Sequence, residues 1–317
     1  MSRTAAAVIL IRPTGFGHDP GTAATNGFQA PITDPGVRRM AAEEFDELLH
    51  ALRHCGVGIT VLDPFDPGAP NAVFPNNWFS THADGTLVVY PMLTPSRRAE
   101  RDPDLQRLLQ QEGFAVSQVH DLSAWEQKGA ILEGTGSLVL ERGTRSAFAC
   151  LSPRTTEGAV MDWCARTGYT PITFTATMDG RIESDPVYHT NVVMSIGERF
   201  AVACFEAMPF PAERQEVDEE LRKAGRQVIP ISIAQMHKFV GNMLELRGTL
   251  RTNGGGNAGT QEHFIFLSTT AFEALWPEQR QALQQYAQLV PVPVPTIESV
   301  GGGSVRCMLA ENFLPRS

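Results

Sequence analysis

The chain has 317 residues, 42% of them hydrophobic and 19% charged, a composition that suits a globular protein with a sizeable core. Its 26 basic and 35 acidic side chains give a net charge of −9 with no basic block, which argues against nucleic acid or an anionic membrane surface as partner. The five cysteines (55, 150, 164, 204 and 307) are odd in number and never spaced as Cys-x-x-Cys, so neither a disulfide framework nor a zinc knuckle is indicated, and a reducing cytoplasm fits.

Residues 5–12 are apolar and end at Arg12-Pro13, with no cleavage-site pattern; they read as a buried first strand rather than a signal peptide. No run is long enough to span a bilayer. Residues 13–37 are rich in Gly, Pro, Thr and Asn and show no periodicity. A loop of that length in a compact fold is often a functional lid. Residues 38–54 carry Met40, Phe45, Leu48, Leu49 and Leu52 at helical spacing, and residues 57–62 read as a strand.

A unit of hairpin, helix and strand then recurs. The first copy runs from Trp78–His82 through a turn at Asp84-Gly85 to 87–90, a helix near 103–112 and a strand near 114–119. The second has strands 137–141 and 146–151, a helix over 156–167 and a strand over 170–174. The third has strands 192–196 and 200–205, a helix over about 211–224 and a strand at 227–231. The fourth has strands 241–246 and 264–268 around a glycine-rich hairpin tip at 254–259, then a helix near 278–289 and a strand near 290–295. A fifth hairpin opens at Cys307, and its missing parts lie at the other terminus: residues 5–12, 38–54 and 57–62. The expectation is one α/β domain over 1–317, a five-bladed pseudo-symmetric propeller closed by the N-terminal strand.

The residues preceding each first strand are Asn77, Glu133, His189, Asn242 and Cys307, at separations of 56, 56, 53 and 65 residues. Equivalent positions in a ring converge on its axis, so Asn77, Glu133, His189 and Cys307 are expected around one pocket. A thiol, an imidazole and a carboxylate there supply a nucleophile, an acid/base and a ligand for N–H-rich groups. Gly301-Gly302-Gly303, just before Cys307, removes side chains and lets a ligand approach the main chain, with Gly303 nearest the cysteine. His50 and His54 sit at i, i+4 beside Cys55, but with no adjacent glutamate they read as a solvated helix face. The glycines at 254–259 lack the Lys-Ser/Thr of a phosphate loop. No metal and no cofactor is expected.

Phe74-Pro75-Asn76-Asn77-Trp78, Leu132-Glu133-Gly134, Tyr188-His189-Thr190-Asn191 and Gly301–Met308 together resemble the guanidino-group-modifying superfamily. That superfamily comprises the arginine deiminases, dimethylarginine hydrolases and amidinotransferases, which share the pentein fold, a five-bladed α/β propeller. The Asn-Asn-Trp motif is similar to that of the citrulline-utilisation hydrolases (the CtlX-type branch). The resemblance covers nearly the whole chain. It implies Cys307 as nucleophile, His189 as general acid/base and Glu133 as ligand of the substrate's terminal N–H groups. Two departures from the deiminase pattern remove negative charge: Asn77 stands where deiminases carry aspartate, and Asn191 where many carry His-x-Asp.

A ureido group is neutral and offers a carbonyl acceptor, which an asparagine meets better than a buried carboxylate does. The reading is therefore a cytoplasmic hydrolase acting on a small amino acid, citrulline, to give ornithine, ammonia and carbon dioxide. Arginine or methylarginine deimination and amidino transfer are the enzyme alternatives; a non-catalytic propeller, as in a ribosome-associated translation factor, is the third. Asn77 and Asn191 are expected at the ureido end, and Arg98 or Arg154 at the substrate carboxylate. Whether copies of the chain associate is left open.

Overall fold

The computed structural model describes residues 3–32, 34–250 and 260–317; the glycine-rich tip at 254–259 lies outside them. Among the described residues, five three-stranded sheets make up the fold. Strands β1 (Ala7–Ile11) and β2 (Gly58–Leu62) pair in parallel across the helix Val37–His54, and their third strand comes from the far end of the chain. The next sheet is β3 (Phe79–Thr81), β4 (Thr86–Val89) and β5 (Gln118–Asp121). It is followed by β6 (Val139–Glu141), β7 (Ser146–Cys150) and β8 (Thr170–Phe174), then β9 (Met194–Ile196), β10 (Phe200–Ala203) and β11 (Gln227–Pro230). The fourth hairpin and its outer strand are β12 (Leu244–Leu250), β13 (Thr260–Ser268) and β14 (Gln288–Val292). Finally β15 (Ala310–Glu311) pairs antiparallel with β1, Val8 opposite Glu311 and Ile9 opposite Ala310.

Every sheet repeats one pattern: an antiparallel inner pair, then a parallel outer strand reached through a helix. The termini complete the last blade, as the repeat requires. The middle strands are covered on both faces, so β7 and β10 are buried at every position and read in sequence as unbroken apolar runs. The helix Val37–His54 buries Val37, Ala41, Phe45, Leu48, Leu49 and Leu52 along one stripe. The hydrophobic clusters run across blade boundaries: Ile9 of β1 packs with Trp78, Phe79 and Leu87 of the next blade. No blade therefore has a core of its own.

Several boundaries move from the sequence reading: the inner strands expected from 137 and 192 start at Val139 and Met194, and the strand expected from 264 starts at Thr260. The apolar stretch expected as a strand near 114–119 splits. The Ala115 N–H donates to the Pro315 carbonyl of the C-terminal tail at 2.8 Å, and the strand proper begins at Gln118. The helix expected to reach 289 is Pro277–Gln284, and its outer strand starts at Gln288. The fourth inner strand starts at Leu244, because residues 239–242 close a turn in which the Asn242 N–H donates to the Phe239 carbonyl at 2.8 Å.

Because β1 is the middle strand of the blade that carries Cys307, its loss exposes two ladders at once. Leu10 is fully buried, and Leu10→Ala should cost about 2–5 kcal/mol in urea unfolding. A chain lacking residues 1–12 should show no cooperative transition, and a truncation that melts like the intact protein would contradict the closure.

Candidate active site

A short helical turn precedes four of the five inner strands: Pro75–Asn77, Gly134–Ser137, Thr190–Val193 and Val305–Met308. Glu133 and His189 are the residues that cap two of these turns, and Asn77 and Cys307 lie within the other two. The turns pack on one another at the axis, so residues remote in sequence become neighbours. Gly134 makes this possible: its φ is +49°, and a Cβ there would sit 2.3 Å from the Asn76 carbonyl oxygen. Asn77, Arg97, Arg154, His189 and Cys307 line a small cavity, whose wall at the end of the chain is the backbone of Gly301–Gly303. Glu44 anchors the approach to that wall. Its buried carboxylate accepts the N–H groups of Thr296 (2.8 Å) and Ile297 (2.9 Å), fixing the turn from which the glycines emerge.

His189 and Glu133 are joined by a 2.8 Å hydrogen bond between Nε2 and Oε2, both side chains being about 1% exposed. A carboxylate only accepts, so Nε2 carries the proton and Nδ1 holds the free lone pair. Glu133 also accepts the Leu93 N–H at 3.0 Å and lies 3.5 Å from an Arg154 guanidinium nitrogen. Burial opposes its ionisation, but Arg154 and His189 together outweigh that and hold the carboxyl well below its ordinary range. For His189 burial wins. Its hydrogen bond to Glu133 favours the cation, yet desolvation, with Arg154 and Arg97 nearby, carries the imidazole down to about 4. The ring is neutral at pH 7.

Cys307 is held between two amides. Its sulfur lies 3.2 Å from Asn242 Nδ2 and 3.6 Å from Asn191 Nδ2. Burial raises the thiol above its ordinary value, while the Ser304 backbone hydrogen bond, the two amides and the charge of Arg306 act in the other direction. Asn242 also donates to the Asn191 carbonyl at 2.9 Å, which locks the pair together. Asn242 belonged to the repeat spacing; the structure places its amide directly on the sulfur.

Asn77 is fixed by an arginine that the sequence reading passed over. Arg97 donates to Asn77 Oδ1 (2.9 Å) and to the Phe74 carbonyl (3.1 Å), and its Nε chelates Glu100 at 2.8 and 2.9 Å. A guanidinium only donates, so the Asn77 oxygen faces Arg97 and its NH2 faces away. One of those donors goes to Asn76 Oδ1 at 3.1 Å. Arg98, the expected carboxylate ligand, is not in the cavity. Its side chain turns back to the Met92 and Leu93 carbonyls, each at 2.9 Å, and to Glu126 at 3.2 Å. The two arginines are adjacent in the four-residue helix Pro95–Arg98 and cannot share a face, and Glu100 draws Arg97 inward. Arg154 is in the cavity wall, stacked on Tyr188 at 5.2 Å.

The loop over 13–37 reaches this cavity. Thr22, Asn26 and Gln29 line it. Asn26 donates to the Gly302 carbonyl (3.2 Å) and Gln29 to the Gly301 carbonyl (2.9 Å), while Arg154 donates to the Thr22 carbonyl (2.7 Å) and to Thr25 Oγ1. Tyr188 also donates to the Gly302 carbonyl. Among the described residues no group of three or more His, Cys, Asp or Glu is placed to hold a metal ion, and no helix is long and apolar enough to cross a membrane.

A family model described as N,N dimethylarginine dimethylhydrolase, eukaryotic, matches residues 12–314. The fold is similar to the N-terminal domain of ArgZ bound to substrate, an arginine dihydrolase from the ornithine-ammonia cycle in cyanobacteria. That likeness has a TM-score of 0.71 at 13% identity and covers 96% of each chain. It is equally similar to AgrE in its ternary complex with ornithine and NAD+ (TM-score 0.71, 16% identity), covering 98% of this chain but only 40% of that one. A dimethylarginine dimethylaminohydrolase adduct with 4-chloro-2-hydroxymethylpyridine follows at TM-score 0.61 and 15% identity, covering 97% and 100%. No curated protein sequence matches.

The buried imidazole carries a pH signature. Between pH 6.5 and about 4 the unfolded chain protonates His189 and the folded one does not. The unfolded state binds the extra proton, so stability falls as pH drops through that window, by up to about 1.4 kcal/mol per pH unit from this group. His189→Gln keeps a donor for Glu133 and removes the titration. Urea midpoints measured from pH 7 to 4.5 should decline less steeply in the variant; identical slopes would mean that His189 titrates normally in the fold.

Proposed function

The chain belongs to the N,N-dimethylarginine dimethylhydrolase family of guanidino-group-modifying enzymes, and from that premise we propose that it hydrolyses the ureido group of citrulline to ornithine, ammonia and carbon dioxide. The observation that carries this reading is the charge of the cavity wall. Among the described residues the lining includes two guanidiniums, Arg97 and Arg154, and no carboxylate. Glu133 stands behind His189 and is already met by it, by Arg154 and by a backbone N–H. A cationic guanidino head finds no free anion there, whereas a neutral ureido head carries no such requirement. The free N–H of Asn77 suits the ureido oxygen. Arg154, whose partners besides Glu133 are hydroxyl and carbonyl oxygens of the loop, suits the carboxylate at the other end of the substrate.

The chemistry follows from the same residues. Cys307 gives its proton to the Nδ1 lone pair of His189, and the thiolate sulfur bonds to the ureido carbon. Negative charge moves to the ureido oxygen, where the Asn77 amide stabilises it. The terminal C–N bond breaks, and the nitrogen leaves as ammonia with the proton from His189. Water then adds to the thiocarbamate with His189 as base, the C–S bond breaks, and the sulfur recovers its proton. The carbamic acid released loses carbon dioxide and leaves the ornithine amine. One water is consumed for one ammonia and one carbon dioxide. A second reading has support in the likeness to arginine dihydrolases: arginine would lose one ammonia first and pass through the same ureido group.

Purified protein offered citrulline, arginine, dimethylarginine and agmatine in parallel should release ammonia and carbon dioxide fastest from citrulline. Preference for arginine or dimethylarginine would overturn the proposal. Cys307→Ala should stay folded and lose nearly all turnover, and activity retained in that variant would end the covalent mechanism. Asn77→Asp replaces the donor to the ureido oxygen by a charge that Arg97 would clamp. Its kcat/KM on citrulline should fall roughly tenfold to a hundredfold, the effect of about 1–3 kcal/mol, while weak activity on arginine is spared. Equal loss on both substrates would make residue 77 structural.

A further inference from the structure

The inner strands β3 and β6 follow the turns that carry Asn77 and Glu133, and at their far ends lie the hairpin turns at 82–85 and 142–145. There the seam between the β3–β5 and β6–β8 blades opens into a groove of about 670 Å3. The groove shares no lining residue with the cysteine cavity. In a chain of net charge −9, four guanidiniums converge on it. Arg142 and Arg145 come from the turn between β6 and β7, Arg166 from the last turn of the helix Glu157–Thr167, and Arg3 from the N-terminal segment. His82 and His120 add two imidazoles, and Asp84 is the one carboxylate among the described lining residues.

Arg142 and Arg145 are positioned but only loosely neutralised, while Arg166 is chelated by the exposed Asp162. Arg142 lies 3.9 Å above the Phe313 ring and 3.7 Å from Glu311, whose same oxygen is 3.2 Å from Arg306. Arg145 lies 5.5 Å from the Tyr169 ring and donates to the Thr167 carbonyl, with no carboxylate partner among the described residues. Arg166 has Asp162 one turn back at 3.2 Å and faces Trp125 at 5.6 Å. Aromatic contact fixes the heads without cancelling their charge. The resulting field reaches His82: burial, aided by Arg142, His120 and Arg145 and opposed by Asp84, brings its imidazole down to about 3.

We propose that this groove is a second binding site, for a small molecule carrying two or more linked phosphate groups. A guanidinium meets phosphate through two parallel N–H···O bonds, and several fixed guanidiniums in one groove match phosphates in series better than a single carboxylate. The site is separate from the cysteine cavity, so its ligand is neither substrate nor product of the reaction proposed above, and the two readings stand or fall independently.

Calorimetric titration of the full chain with pyrophosphate, ATP and citrate at constant ionic strength tests this. Pyrophosphate and ATP should bind at least tenfold more tightly than citrate. Arg145→Gln combined with Arg166→Gln, both exposed positions, should weaken that binding at least tenfold and leave the melting temperature unchanged. Cys307→Ala should leave the affinity as it is. No binding at millimolar pyrophosphate, citrate binding equally well, an unaffected double variant, or loss of binding in Cys307→Ala would each overturn the proposal.

Discussion

The strand that holds this structure together is the first one. β1 lies between β15, only two residues long, and β2, reached through the helix Val37–His54. Without it the segment carrying Cys307 would have no sheet to join, because β15 cannot form a ladder by itself. The closure also works across blades. Ile9 contributes to the cluster around Trp78 and Phe79, while Val8 and Leu10 face the cluster that holds Val300, Val305 and Met308. The two ends of the chain therefore order each other, and the turn bearing the cysteine inherits its rigidity from residues some three hundred positions away.

That rigidity matters because the axis is crowded with buried charge. Glu133, Arg154, Arg97 and Glu100 are all at most 3% exposed. Removing such groups from water costs several kcal/mol each unless every lone pair and proton is met. Three of them have several partners: Glu133 a backbone N–H, an imidazole and a guanidinium, Arg154 that carboxylate and the loop oxygens, Arg97 a chelating carboxylate, an amide oxygen and a backbone carbonyl; Glu100 is met by Arg97, and burial raises its carboxyl to about 7. A network satisfied to that degree is stiff, and it leaves little unpaired charge to offer a ligand. The sulfur, by contrast, is held by weak amide contacts, which orient a thiol without forcing it to ionise.

The loop over 13–37 ties into the same network. Asp19 accepts from Ser96 at 2.7 Å and from Asn71 at 3.1 Å, and Asn26 and Gln29 bond the carbonyls of the glycine wall. The glycines supply those carbonyls because nothing shields them: at Gly302, with φ +65°, a Cβ would come 2.5 Å from the Asn26 amide.

Alternating apolar runs, turn residues and the helical stripe of Val37–His54 are local signals. They carry the blade, its recurrence and the exchange between termini, and the repeat spacing places Asn77, Glu133, His189, Asn242 and Cys307 at equivalent positions. What the spacing could not supply is how each side chain turns once it arrives. Arg97 and Arg98 are adjacent and chemically identical, and only Glu100, Asn77 and the Phe74 carbonyl decide that the first points inward. The orientation of the Asn77 amide is set by an arginine twenty residues on, and the amide clamp on Cys307 by two blades meeting. Periodicity records which face of an element is apolar, so it determines the fold; the direction of a buried polar side chain depends on partners brought near by folding, and only the tertiary structure contains them.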